Sequence, residues 1–130
     1  MDKDSTQRLF GIRGAAGAEN TADSIADATE ALCAALFSRN SLAARDIVSV
    51  HFTLTRDLTA LNPATAIRNS SELPGIDRIA LFCSQEAYIA GGMDGIVRVL
   101  VTAYLPHDAE PAHVYIRGAE RLRPDISPCG

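Results

Sequence analysis

Arg98 is the residue whose setting most needs a chemical explanation. It lies within Ile96-Val97-Arg98-Val99-Leu100-Val101-Thr102, where Val97, Val99 and Val101 alternate with Ile96, Leu100 and Thr102, so a guanidinium shares one face of an otherwise apolar strand. Both faces read as buried. Desolvating an unpaired guanidinium costs several kcal/mol, which leaves three readings: a structural salt bridge, an edge-strand side chain reaching back to water, or an anion-binding site. Arg13 stands in Gly11-Ile12-Arg13-Gly14, where flanking glycines let backbone and ligand approach closely. Glu86 ends Cys83-Ser84-Gln85-Glu86, just past an apolar strand, a frequent place for functional groups, although a solvated loop carboxylate is the commoner occupant.

Other chemistries find less support. Cys83 has no sequence signature pairing it with His51, His107 or His113, so it reads as a small buried hydrophobe before a nucleophile. The three histidines lack metal-ligand spacing, and Gly91-Gly92 lacks the further glycines and the lysine of a phosphate-binding loop. Eleven of the twelve basic residues are arginine, with Lys3 the exception. A planar guanidinium fork suits carboxylates and phosphates, although GC-rich codon usage would produce the same bias. The formal charge of −4, without a basic run, argues against nucleic acid as a partner.

The elements that must hold these residues follow from periodicity. The chain of 130 residues, 47% hydrophobic, has the size and apolar content of one domain. Residues 1–7 are expected to be disordered, 8–127 to form the domain, and 128–130 to be flexible. A short strand from Arg8 to Gly14 runs into a Gly/Ala-rich turn. Asn20 is the expected cap of a helix over about residues 21–39, with Ile25, Ala28, Thr29, Leu32, Cys33 and Leu36 on one face. From Ile47 to Thr55 the period becomes two, with Val48, Val50, Phe52 and Leu54 on the apolar side. Asn62-Pro63 opens a helix of one or two turns. Strands are expected at Ile79–Cys83, Ile96–Tyr104 and Ala112–Ile116. This order predicts an α/β (α+β) fold, a mixed five-stranded sheet with one long and one short helix. One long helix cannot cover such a sheet on both sides, so self-association is expected. No stretch is long and apolar enough to span a membrane, the start is too polar for a secretion signal, and Cys33, Cys83 and Cys129 fit no disulfide framework. A soluble, cytoplasmic protein with reduced thiols is the expectation.

Six blocks then stand in a recognisable order: Phe10-Gly11-Ile12-Arg13-Gly14-Ala15, Asn62-Pro63-Ala64 through Arg68, Cys83-Ser84-Gln85-Glu86, Gly91-Gly92 through Arg98, His113-Val114-Tyr115 and Leu122-Arg123-Pro124-Asp125. Together they resemble the AroH-type monofunctional chorismate mutases, the trimeric α/β-barrel class, across residues 8–127. The resemblance implies a homotrimer whose sheets form a pseudo α/β barrel, with active sites at the subunit interfaces. It also implies rearrangement of chorismate to prephenate, on the shikimate pathway of aromatic amino acid biosynthesis, without a cofactor or metal. By the same resemblance, Arg98 meets the ether oxygen of the breaking bond and a substrate carboxylate. Arg13 and Tyr115 hold a carboxylate, and Glu86 and Cys83 face the substrate hydroxyl and ring. Arg68 and Arg123 lie near the pocket mouth, and Ala64, Leu81 and Leu122 are further substrate-binding positions.

The chemistry accounts for the residue types. A Claisen rearrangement moves no proton and forms no bond to the enzyme. Catalysis then consists of holding a flexible dianion in its reactive shape and stabilising charge that grows on the ether oxygen. Three positions depart from the family pattern: Asn62 replaces an aromatic residue, Thr65 a lysine and Phe82 a small polar residue. They keep two alternatives open, an enzyme acting on a chorismate relative such as an amino-deoxychorismate, and a noncatalytic small-molecule-binding trimer.

Overall fold

The computed structural model describes residues 6–71 and 73–125. The expected flexible end at 128–130, the last two residues of the expected domain and residues 1–5 of the expected disordered start lie outside these. Seven elements form the fold: β1 (Gln7–Gly17), α1 (Ala22–Arg39), β2 (Ile47–Leu54), α2 (Pro63–Arg68), β3 (Ala80–Gln85), β4 (Ile96–Pro106) and β5 (Val114–Ile116), with short 3-10 turns between some of them.

β1 is longer than the expected strand at both ends. Gln7, assigned by sequence to the disordered start, pairs with Pro106, and Ala15, Ala16 and Gly17 continue the ladder opposite Arg98, Val97 and Ile96. Their small size serves packing rather than a turn. A Cβ on Gly14 would lie 2.9 Å from Leu32 Cδ1 and 3.0 Å from the Val114 carbonyl, so α1 and β5 both approach the strand at close range. At Gly17 an added Cβ would run into the Arg117 carbonyl. Gly17→Ala must therefore push back the backbone that follows β5. We expect it to destabilise the protein by about 1–3 kcal/mol, the usual cost of overpacking, read as a lower denaturant midpoint at unchanged slope.

α1 begins one residue later than Asn20 predicts. Thr21 is its N-cap, accepting from the Ser24 amide at 3.1 Å. Asn20 Oδ1 instead accepts from the amides of Thr59 and Ala60 at 2.8 and 2.9 Å, tying the helix start to the loop before α2. Both side chains can cap, and the tertiary partners decided between them. The expected apolar stripe is buried in full, with Phe37 added. At the other end Asn40 bonds both backbone groups of Ala112, so β5 starts at Val114 rather than at Ala112.

The strand order is β3-β2-β4-β1-β5. β4 runs antiparallel to both β1 and β2, while β3 and β5 run parallel to β2 and β1, so four strands share one direction and β4 opposes them. A register shift between Ile47 and Ser49 turns the start of β2, which buries Ile47 and leaves Val48 48% exposed against expectation. A bulge of this kind is invisible to strict alternation.

α1 and α2 cover one face of the sheet. Ile12, Ala16, Val50, Phe52, Val97, Val99, Val101 and Val114 pack there with Ile25, Leu32, Leu36 and Ile67 in a single core. The other face is largely open, which corrects the reading that β4 is buried on both sides: Leu100 is 45% exposed and the Arg98 side chain 41%. Only at the β5 end does a second cluster, Ala15, Ile96, Tyr115 and Ala119 with Met93 and Leu122 against it, shelter that face.

Candidate active site

Cross-strand register alone lines up one row on the open face: Tyr115, Ala15, Arg98, Thr53 and Ser84, taken from β5, β1, β4, β2 and β3 in spatial order. The row lies toward the carboxyl ends of the four like-directed strands, where open α/β sheets generally bind ligands. Ala15 leaves room beside Arg98, and Glu86 enters from beyond β3, its amide donating to the Leu54 carbonyl at 2.8 Å.

The Glu86 carboxylate is held from two sides. Its Oε1 accepts from the Thr53 hydroxyl at 2.7 Å, and its Oε2 lies 2.7 Å from Arg98 Nε. The second contact is one of charge rather than a directed hydrogen bond, because the buried Nε–H is misaligned with it. The pair is the first reading offered for Arg98, a salt bridge. It does not exhaust the guanidinium, however, since neither terminal nitrogen of Arg98 forms a hydrogen bond among the described residues. Arg98 lines a cavity of about 420 Å³ together with Arg13, His51, Thr53, Glu86, Leu100 and Tyr115. Two cations, a carboxylate and a phenol around so small a space suit an anionic ligand that also carries a hydroxyl.

The wall beyond Arg13 is set by the segment after β4. The Arg13 amide donates to His113 Nδ1 at 3.0 Å. Burial first, and then the Arg13 and Arg123 charges, push the His113 imidazole below its usual value, in keeping with an unprotonated acceptor nitrogen. Arg123 grips Asp125 with two parallel bonds, Nε to Oδ1 at 3.1 Å and a terminal nitrogen to Oδ2 at 2.9 Å. That bond holds the guanidinium above its ordinary range and the carboxyl below its own, with Arg13 adding to the latter. Tyr115 is 7% exposed, and Leu122 packs beside it.

The remaining candidates lie elsewhere. Leu81 and Cys83 point to the helix-covered side of β3, half-buried against the core, and Cys83 and Asn62 share a separate cavity of about 290 Å³ with Thr55, Leu58 and Leu61. Asn62 accepts from the Ala64 amide at 2.8 Å and so caps α2. Ala64 is buried, Thr65 half-buried, and Arg68 exposed, with no salt bridge among the described residues. Phe82 is 64% exposed on the open face, edge-on to His51 with ring centroids 5.3 Å apart. The structure thus brings Arg13, Glu86, Arg98 and Tyr115 around one cavity, with Leu122 and Arg123 behind Tyr115, and sets Asn62, Ala64, Thr65, Arg68, Leu81 and Cys83 apart from it.

Burial pushes the Cys83 thiol up, away from the thiolate a nucleophile needs, and its nearest acceptor is the Ser84 carbonyl at 3.9 Å. Cys83→Ala is accordingly expected to keep kcat within about threefold, since it removes some packing and one weak neutral contact but no charge. Complete loss of turnover in a folded Cys83→Ala protein would reinstate covalent catalysis.

His51 and Thr53 line the cavity without having been singled out by sequence. Their signal was present in the polar positions of β2, which mark the side away from the core but not what that side meets. Among the described residues no cluster of three His, Cys, Asp or Glu could hold a metal ion, and no helix is long and apolar enough to cross a membrane.

Residues 9–126 match the family described as chorismate mutase type I. Chorismate mutase AroH of Bacillus subtilis (strain 168) is 35% identical over 122 residues, spanning 92% of this chain and 93% of that protein. Chorismate mutase AroH of Thermus thermophilus is 36% identical over 120 residues, 89% of this chain and 94% of that one. A solved chorismate mutase from Clostridium thermocellum superposes with a TM-score of 0.77 at 35% identity, covering 86% of this chain and 98% of that one.

Proposed function

The chain belongs to the type I chorismate mutase family and isomerises chorismate to prephenate, and from that premise we propose that the reaction takes place in the cavity between Arg13, Glu86, Arg98 and Tyr115. The observation that carries this reading is that Arg98, paired through Nε with Glu86, lines one cavity with Arg13 and Tyr115. In the rearrangement one C–O bond breaks as one C–C bond forms, and the ether oxygen gains negative charge in between. A fixed guanidinium placed there stabilises the transition state more than the substrate, which is what accelerates a reaction. Arg13 and Tyr115 are positioned to hold a carboxylate and so restrict the dianion to its reactive shape. Glu86, already fixed by two contacts, accepts the substrate hydroxyl.

The working enzyme is proposed to be a homotrimer with its sites between subunits. Supporting this, Leu9, Phe82 and Leu100 leave an apolar surface of 47%, 64% and 45% exposure on the uncovered sheet face. A second copy seated there would exclude water from the cavity. It would also explain why Asn62, Thr65, Arg68 and Cys83 stand on the far side of β3 in their own chain, since a neighbour can present them across the interface. A cytoplasmic location fits Cys83, a thiol that forms no disulfide with the described residues.

Incubation of the purified protein with chorismate, followed by NMR, is expected to yield prephenate as the sole product without added metal or cofactor. Conversion of an amino-deoxychorismate with chorismate left untouched would reassign the substrate, and turnover by Arg98→Ala at the parent rate would reassign the cavity.

A further inference from the structure

We propose that Thr53 is a positioning residue whose hydroxyl keeps the Arg98 fork open for substrate. The inference rests on the reading of Glu86 and Arg98 as the groups that meet chorismate. Arginine and a carboxylate prefer a bidentate pairing, two parallel N–H···O bonds that use both carboxylate oxygens. Such a pair would turn Glu86 fully onto Arg98 and spend on the carboxylate a terminal nitrogen needed at the ether oxygen. The fork is within reach, because Oε2 already lies 2.7 Å from Nε. It is not formed. Thr53 holds Oε1 at 2.7 Å, and among the described residues Arg98 forms no directed hydrogen bond to Glu86, its Nε–H being misaligned.

Thr53 can hold Oε1 because of where the sheet puts it. It is the register partner of Arg98 on β2, and cross-strand partners point to the same face. Its neighbour Leu54 receives the Glu86 amide at 2.8 Å, which brings the carboxylate back over β2. The backbone bond sets the distance and the hydroxyl sets the rotation. Thr53 itself is half-buried in the cavity wall and carries no charge, and the rearrangement gives it no proton to move.

The test is steady-state kinetics on chorismate with Thr53→Val, which removes the hydroxyl at nearly constant shape and strand preference, and with Thr53→Ser, which keeps it. A hydrogen bond to a charged group is worth enough to predict a fall in kcat of about ten- to thirtyfold for Thr53→Val, with KM changed less than about threefold. Thr53→Ser should stay within about threefold of the parent. In a Glu86→Ala background, where nothing remains to be positioned, Thr53→Val should cost less than about twofold more. A role confined to strand stability would move the thermal midpoint and leave that coupling at zero. The proposal is overturned if Thr53→Val keeps kcat within about threefold, or if its effect is the same with and without Glu86. Should circular dichroism find Thr53→Val unfolded, Thr53→Ala carries the same comparison. Failure here with Arg98→Ala inactive removes Thr53 from the mechanism alone, whereas full activity of Arg98→Ala removes the reading beneath it.

Discussion

Replacing Arg98 by alanine is expected to lower kcat by about 10²–10³-fold, the effect of removing one preorganised donor, equivalent to about 3–4 kcal/mol of transition-state stabilisation. The fold should survive. The Arg98–Glu86 pair joins side chains 41% and 24% exposed, and solvent-screened pairs of this kind contribute about 0–1 kcal/mol or less to stability. Arg98→Lys should recover little, because a point charge on a flexible stem does not reproduce a planar fork with enough donors to serve Glu86 and a carboxylate ligand at once. Circular dichroism and the thermal midpoint separate the two possible losses. Near-normal kcat in folded Arg98→Ala would make the Glu86 contact a structural ion pair, and charge stabilisation at the ether oxygen would have to come from elsewhere.

The second large effect is expected at a residue outside the cavity. Leu9 lies on the open face of β1, opposite Tyr104, and is 47% exposed. In an isolated chain Leu9→Asp would be close to neutral, since a surface substitution away from special features usually stays within about 0.5 kcal/mol. If the open face is an interface between copies, the same change buries an unpaired carboxylate at each contact, which costs several kcal/mol. We therefore expect light scattering to report about three chains for the parent and one for Leu9→Asp. Turnover should fall at least about a hundredfold, with partial recovery at high protein concentration as mass action restores assembly. A folded, monomeric Leu9→Asp protein with parent activity would mean that one chain holds a complete site.

These expectations depend on different parts of the molecule, and the parts differ in how far residue order reveals them. α1 is legible because its partner is a whole sheet: Ile25, Ala28, Thr29, Leu32, Cys33 and Leu36 recur at the helical period and are all buried. Its cap was not, since Thr21 and Asn20 are chemically equivalent there and only the amides of Thr59 and Ala60 distinguish them. β2 is legible beyond its first residues, and the bulge that exposes Val48 is not. Alternation along β4 assigns residues to faces correctly and says nothing of cover, which is why Arg98 reads as buried by pattern and lies on an open face.

For the site, the order of residues determined which groups were present and what they could do. An arginine in an apolar strand, a second between glycines and a carboxylate at a strand end allow an anion-binding pocket, and the rearrangement chemistry is what the resemblance of the six blocks adds. What no local pattern could decide was which of them meet. Thr53 and Glu86 are 33 residues apart and touch because β2 and β3 pair in one register, and Arg98 joins them because β4 lies on the other side of β2. A shift of one residue between β2 and β4 would send Thr53 to the face opposite Arg98, and one between β2 and β3 would carry Glu86 out of reach of both. Cys83, three residues from Glu86 in sequence, is on that covered face already, because adjacent strand positions point in opposite directions while contact in space is settled by which strands pair.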